Sequence, residues 1–243
     1  MWPDALVVII AAAAGAVAAV TGFGIGSLLT PVLALSVDTR VAVAAVAIPH
    51  VIGTAVRFWL LHGGVDRRVL WSFGLTSAAG GLAGAVLSSV AGNRWLNVVF
   101  GGLLLTAAIG EVTGLTRRMR FRGWIAWLAG AVSGLLGGLV GNQGGIRSAA
   151  LLGFDLPKEK FVATATAIAL FVDGARLPVY LITQRSDILE LWKWVLFATG
   201  GVTAGTLLGS GLLRRVPERW FHRVLALVLA VLGGLMLVRG LRG

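Results

Sequence analysis

The chain has no cysteine, one tyrosine and only ten acidic residues among 243. The missing cysteine excludes disulfides, thiol nucleophiles and thiolate metal sites, and leaves the compartment open. The scarcity of charge excludes more. Charged residues make up 13% of the chain and hydrophobic ones 57%, with a mean hydropathy of +0.90. That is too little polar surface to cover a water-soluble globule of this length. There is no serine, histidine and carboxylate grouping, no metal-ligand spacing and no phosphate loop, so no enzyme, metal or cofactor is expected. The stretch TGFGIGS, Thr21 to Ser27, carries a glycine pattern but lacks the strand and crossover helix of a dinucleotide site.

What the chain does have is eight apolar runs: Ala5 to Ser36, Val41 to Leu61, Val69 to Val90, Trp95 to Gly114, Trp124 to Phe154, Phe161 to Thr183, Leu191 to Leu213 and Phe221 to Val238. Runs of this length exceed buried core helices and predict an all-α polytopic membrane protein in contact with a lipid bilayer. All nine tryptophans stand at or near run ends, where an interfacial belt places them. The net charge of +11 sits in short loops between the runs, which argues against a nucleic-acid partner. The N-terminus MWPDALVVII lacks the basic region of a cleaved signal and is expected to stay as the first membrane segment.

The runs form two sets of four, and the first run of each set is broken by glycine: TGFGIGS in one, GGLVGNQGGIR, Gly137 to Arg147, in the other. Ordered matches support a repeat: AGAV at Gly15 and Gly130, Gly26 with Gly145, Arg57 with Arg176, Asp66 and Trp71 with Asp187 and Trp192, Gly80 and Gly84 with Gly201 and Gly205. At 31 or 32 residues each broken run is longer than one crossing. Charge decides between crossing and returning. If both broken runs are hairpins, the 18 basic residues that remain when Arg57, Arg147 and Arg176 are set aside divide 12 against 6; if both cross, 10 against 8. The positive-inside rule favours hairpins, hence two inverted repeats, each a re-entrant helical hairpin followed by three transmembrane helices. The expected layout is residues 1–115, a basic cytoplasmic linker 116–122 and residues 123–243, with both termini outside the cytoplasm.

This layout aims two helix N-termini at the midplane, where unpaired N–H groups favour an anion. The candidate substrate-binding residues are Thr21, Gly22, Gly24, Gly26 and Ser27 at the first break and Asn142, Gln143, Gly144, Gly145 and Arg147 at the second. Arg57 and Arg176 join them from matching positions of the second runs, because arginine inside a membrane segment is expensive and two guanidinium forks hold an oxyanion well. Plainer readings stand beside these: glycines such as Gly80, Gly81 and Gly84 pack helices, Arg57 satisfies loop carbonyls, and Arg176 pairs with Asp173 one turn earlier. Asp173 is the one carboxylate well inside an apolar run and His50 the one histidine, so these are the residues for proton coupling, if His50 does not simply bond the helix kink made by Pro49.

GFGIGSLLTPVLAL, Gly22 to Leu35, and its second version GGLVGNQGGIRSAALLGF, Gly137 to Phe154, resemble the glycine-rich motif of the TauE/SafE family of membrane permeases. Length, the two-fold repeat and the GVD and SDI turns at Gly64 to Asp66 and Ser186 to Ile188 extend the resemblance over the whole chain. It implies a bacterial-type inner-membrane exporter of sulfite, an organosulfonate or a similar small anion. The second motif departs from the pattern at Asn142, Gln143 and Ala150, which bears on which anion is carried. The residues themselves leave an anion channel or a non-transporting membrane scaffold open, and carry no signal for an oligomeric state.

Overall fold

The computed structural model describes residues 4–114, 121, 123–142, 144–213 and 217–242. Gln143, and the linker 116–122 apart from Phe121, lie outside the described residues. Among the described residues eleven α-helices follow one another: α1 Asp4–Thr21, α2 Ile25–Ala34, α3 Thr39–Leu61, α4 Arg67–Val90 with a π-helical turn at Leu70–Gly74, α5 Asn93–Thr113, α6 Trp124–Val140, α7 Gly144–Leu152, α8 Lys158–Thr183, α9 Arg185–Glu190, α10 Trp192–Leu213 and α11 Glu218–Arg242. No strand occurs among the described residues.

Among the described residues six helices, α1, α3, α4, α5, α8 and α11, are long and apolar enough to cross a membrane. α2 and α7, with 10 and 9 residues, are not: at 1.5 Å per residue each reaches about half of a ~30 Å hydrocarbon layer. The outer surface is apolar, as lipid requires and water would not. Val90 is 77% exposed and Ile182 80%, and Trp59, Trp71, Trp95, Trp124, Trp127, Trp192 and Trp220 all face outward near helix ends. Trp194 departs from the belt expected of the tryptophans. It is buried, in the same apolar core cluster as Val195 and Ala198.

Helix directions follow from which residues meet. The backbone of Gly201 lies on Val8 and that of Gly205 on Ala12, so α1 and α10 run parallel; Gly80 on Ala131 and Gly84 on Leu135 make α4 and α6 parallel too. In both pairs the glycines let backbones touch, which is the packing role of small residues in membranes. α3 and α8 are antiparallel, with His50 beside Asp173 and Arg57 beside Thr166, and so are α5 and α11, with Gly101 on Gly233 and Gly240 on Arg94. The AGAV match does not survive in three dimensions: Gly15 meets the Val202 backbone, whereas Gly130 meets the side chains of Phe73 and Thr76.

α6 and α8 run the same way, since α8 lies parallel to α4 through Gly74 on Ile168 and Gly81 on Val172. A chain that leaves α6 and enters α8 in the same direction must run back in between. α7 is the helix that lies between them. Nine of the ten residues of α2 are buried. At its far end the Arg239 guanidinium donates to the carbonyls of Ala34 and Val37, a cation on the negative end of the helix.

Candidate functional site

Both glycine breaks are real interruptions. α1 stops at Thr21, and Gly22 (φ 80) and Gly24 (φ 131) turn the chain through backbone angles that residues with a Cβ avoid; α6 stops at Val140 with Gly141 at φ 74. The Thr21 hydroxyl bridges the turn, donating to the carbonyl of Phe23 at 2.6 Å. Beyond the breaks, α2 starts at Ile25 and α7 at Gly144, and the first N–H groups of each helix have no partner inside it.

The two breaks touch. A Cβ on Gly26 would overlap the Gly141 carbonyl, and one on Gly144 would run into the Phe23 ring. Across the seam the Ser27 hydroxyl donates to Asn142 Oδ1 at 3.1 Å. Thr21, Gly22, Gly24, Gly26, Ser27, Asn142 and Gly144 thus meet in one place, and the α7 backbone carries Gly145 beside them; Gln143 is outside the described residues.

Three buried arginines converge on this seam. Arg57, from α3, donates through Nε to Thr166 Oγ1 at 3.0 Å, through Nη1 to the Ala18 carbonyl and through Nη2 to the Gly22 carbonyl at 3.4 Å. Arg176, from α8, donates to the Gly137 carbonyl and places Nε at 3.0 Å and Nη2 at 2.8 Å from Asp173 Oδ1. Each therefore grips the last turn of a helix just before its break, neutralising the negative end. Arg147, in the first turns of α7, sends Nη2 across the seam to the Gly22 carbonyl at 3.3 Å. It is 3% exposed, and its Nε and Nη1 have no hydrogen-bond partner.

Asp173 accepts on both sides, from Arg176 and, at Oδ2, from His50 Nδ1 at 2.8 Å. His50 is thus bonded to a carboxylate of α8 and not to a carbonyl freed by Pro49. The Tyr180 hydroxyl donates to the Gly138 carbonyl, a contact that sequence reasoning missed although Tyr180 lies one turn past Arg176 on the same face of α8. Also missed were the pair of Thr39 with Asn97 and the approach of His222 Nδ1 to Glu111 Oε2 at 2.6 Å, which tie α3 to α5 and α5 to α11. Their residues are far apart in the chain, and nothing local marks them as partners.

A bundle of membrane-length helices around two touching, broken helices with buried arginines fits a carrier of anions, and the family comparison agrees. The model of the family described as sulfite exporter TauE/SafE matches residues 7–236. The chain belongs to the TauE/SafE sulfite exporter family. As a TauE/SafE protein it is a multi-pass membrane transport protein, of a family of transporters and not of enzymes. No curated protein and no solved structure matched the chain.

Proposed function

We propose that this TauE/SafE protein is a secondary carrier exporting small anions such as sulfite or an organosulfonate across a bacterial-type inner membrane, by alternating access around the seam between the two glycine breaks. The observation that carries this reading is that Arg57 and Arg147 both donate to one carbonyl, that of Gly22, with no carboxylate among the described residues bonded to either, while Arg147 keeps two donors unpaired. Two guanidiniums crowded in a lipid-shielded place repel each other unless an anion lies between them. The N-terminal ends of α2 and α7 add their positive ends beside the same point.

The architecture we assign is two inverted repeats, each a re-entrant hairpin (α1–α2 and α6–α7) followed by three crossing helices. Its support is the shared grip: Arg57 on Ala18 and Arg176 on Gly137 both reach back 39 residues, to the carbonyl four residues before a positive-φ glycine. Antiparallel α3 and α8, and antiparallel α5 and α11, are what such a two-fold produces. The basic loops then lie in the cytoplasm and both termini outside it. In this arrangement Arg147 and Arg57 bind the anion, Asn142 and Ser27 with the glycines of both breaks shape its seat, and Arg176 positions the second break through Gly137. The pair His50 and Asp173 holds Arg176 in that position.

The test is anion flux in proteoliposomes. Arg147→Gln, which keeps the side chain's reach and removes its charge, is expected to abolish sulfite and sulfonate flux and the thermal stabilisation that sulfite confers, while eluting as the folded protein. Unchanged flux removes Arg147 from the site. Unitary currents that do not saturate would make the protein a channel.

A further inference from the structure

The charges at the seam do not balance. Three buried arginines, Arg57, Arg147 and Arg176, stand there against one buried carboxylate, Asp173, among the described residues. All four are less than 6% exposed, and they form one cluster: Arg57 and Arg147 meet on the Gly22 carbonyl, Arg176 holds Asp173, and Asp173 holds His50 two turns from Arg57 on α3. With His50 neutral the cluster carries an excess of two positive charges. The helix ends do not correct it, since the negative ends of α1 and α6 and the positive ends of α2 and α7 are equal in number and cancel. Nor does a proton, because protonating His50 or Asp173 adds to the excess.

An uncompensated charge is costly to hold in a lipid-surrounded interior and costlier to carry through it. A doubly charged oxyanion at Arg147 brings the cluster to neutrality, a singly charged one halves the excess, and departure restores it in full. We infer that the carrier is an exchanger: it changes its access when occupied by an anion and not when empty, and small doubly charged oxyanions are its favoured cargo. This rests on the transport reading above and specifies how that same site works. Reorientation of the loaded form moves a neutral cluster, whereas return of the empty form moves two unpaired charges. A second anion taken up on the far side is therefore the ordinary route back.

The measurement is release of radiolabelled sulfite from proteoliposomes clamped with potassium and valinomycin, into media holding unlabelled sulfite, sulfate, thiosulfate, methanesulfonate or only sucrose. Release into the oxyanion media is expected to be on the order of tenfold faster than into sucrose, with methanesulfonate between. Equal release into sucrose, or release driven at the exchange rate by a pH gradient alone, overturns the exchange inference and leaves sulfite transport standing. Release no faster than from protein-free vesicles in every medium overturns the transport reading itself. A second arm tests the charge count. Thr54 stands one turn before Arg57 as Asp173 stands before Arg176, and its buried hydroxyl has no partner. Thr54→Asp lowers the excess to one and is expected to reduce the ratio of oxyanion to sucrose release by roughly threefold. An unchanged ratio in a variant that still exchanges overturns the charge account, and the wild-type comparison decides the proposal if that variant does not fold.

Discussion

Arginine 176 and arginine 57 look alike in the chain and differ in their company. Arg176 has Asp173 one turn earlier, which takes up its charge and leaves Nη1 to hold the end of α6. Arg57 has Thr54 in that place, so its charge stays uncompensated and its donors go to Thr166, Ala18 and Gly22. The first is a neutralised clamp, the second a charged one. Removing the carboxylate from the neutralised clamp leaves a buried guanidinium unpaired and His50 without its acceptor. Asp173→Asn is expected to lose about 3–5 kcal/mol, the usual cost of breaking a buried ion pair, measured by reversible unfolding in mixed micelles. A loss below about 1 kcal/mol would mean that Arg176 does not depend on Asp173.

The short helices α2 and α7 have no crossing to make, so their stability comes from contact with the other elements. For α2 that contact is almost complete, and at its start it includes bare backbone: Gly26 sits where any side chain would collide with the Gly141 carbonyl. Gly26→Ala must therefore push the two breaks apart, and is expected to cost roughly 1–3 kcal/mol and most of the flux. Gly174, in α8, has open space where its Cβ would be. Gly174→Ala is expected to be neutral or up to about 1 kcal/mol stabilising, since alanine is the better helix former. Matched losses in the two variants would show that the seam is not a tight contact. The glycines of each break were legible from the chain as turn formers. That the two breaks press on each other was not, because Gly26 and Gly141 lie in different halves and their contact involves no side chain.

Across the molecule, the halves interlock. α1 packs along α10 and α6 along α4, so the first arm of each hairpin is held by the other half, and neither half is a closed unit. Such an arrangement lets the two breaks arrive from opposite faces, and the absence of cysteine makes that directly measurable. With single cysteines introduced, Ser36→Cys, in the turn after α2, is expected to react with an impermeant maleimide from outside the cell. Asp155→Cys, in the turn after α7, is expected to react only in inverted vesicles. Labelling of both from one side would remove the inverted repeat. Labelling of neither in intact cells or inverted vesicles, with reaction only after solubilisation, would place the turns inside the bilayer.

Membrane class, the two breaks and the buried arginines were all readable from the chain, because each is a local matter. A run of apolar residues has few options in lipid, a glycine-rich gap interrupts a helix wherever it stands, and an arginine inside such a run is conspicuous without knowledge of its neighbours. Charge pairing is not local. Whether Arg57, Arg147 and Arg176 hold a carboxylate, a carbonyl or nothing depends on which helix faces them, and α3, α7 and α8 come together only in the folded bundle. There Asp173 goes to Arg176 and His50, the ends of α1 and α6 take up most of the remaining donors, and Arg147 is left with two, because a single interior carboxylate cannot neutralise three guanidiniums.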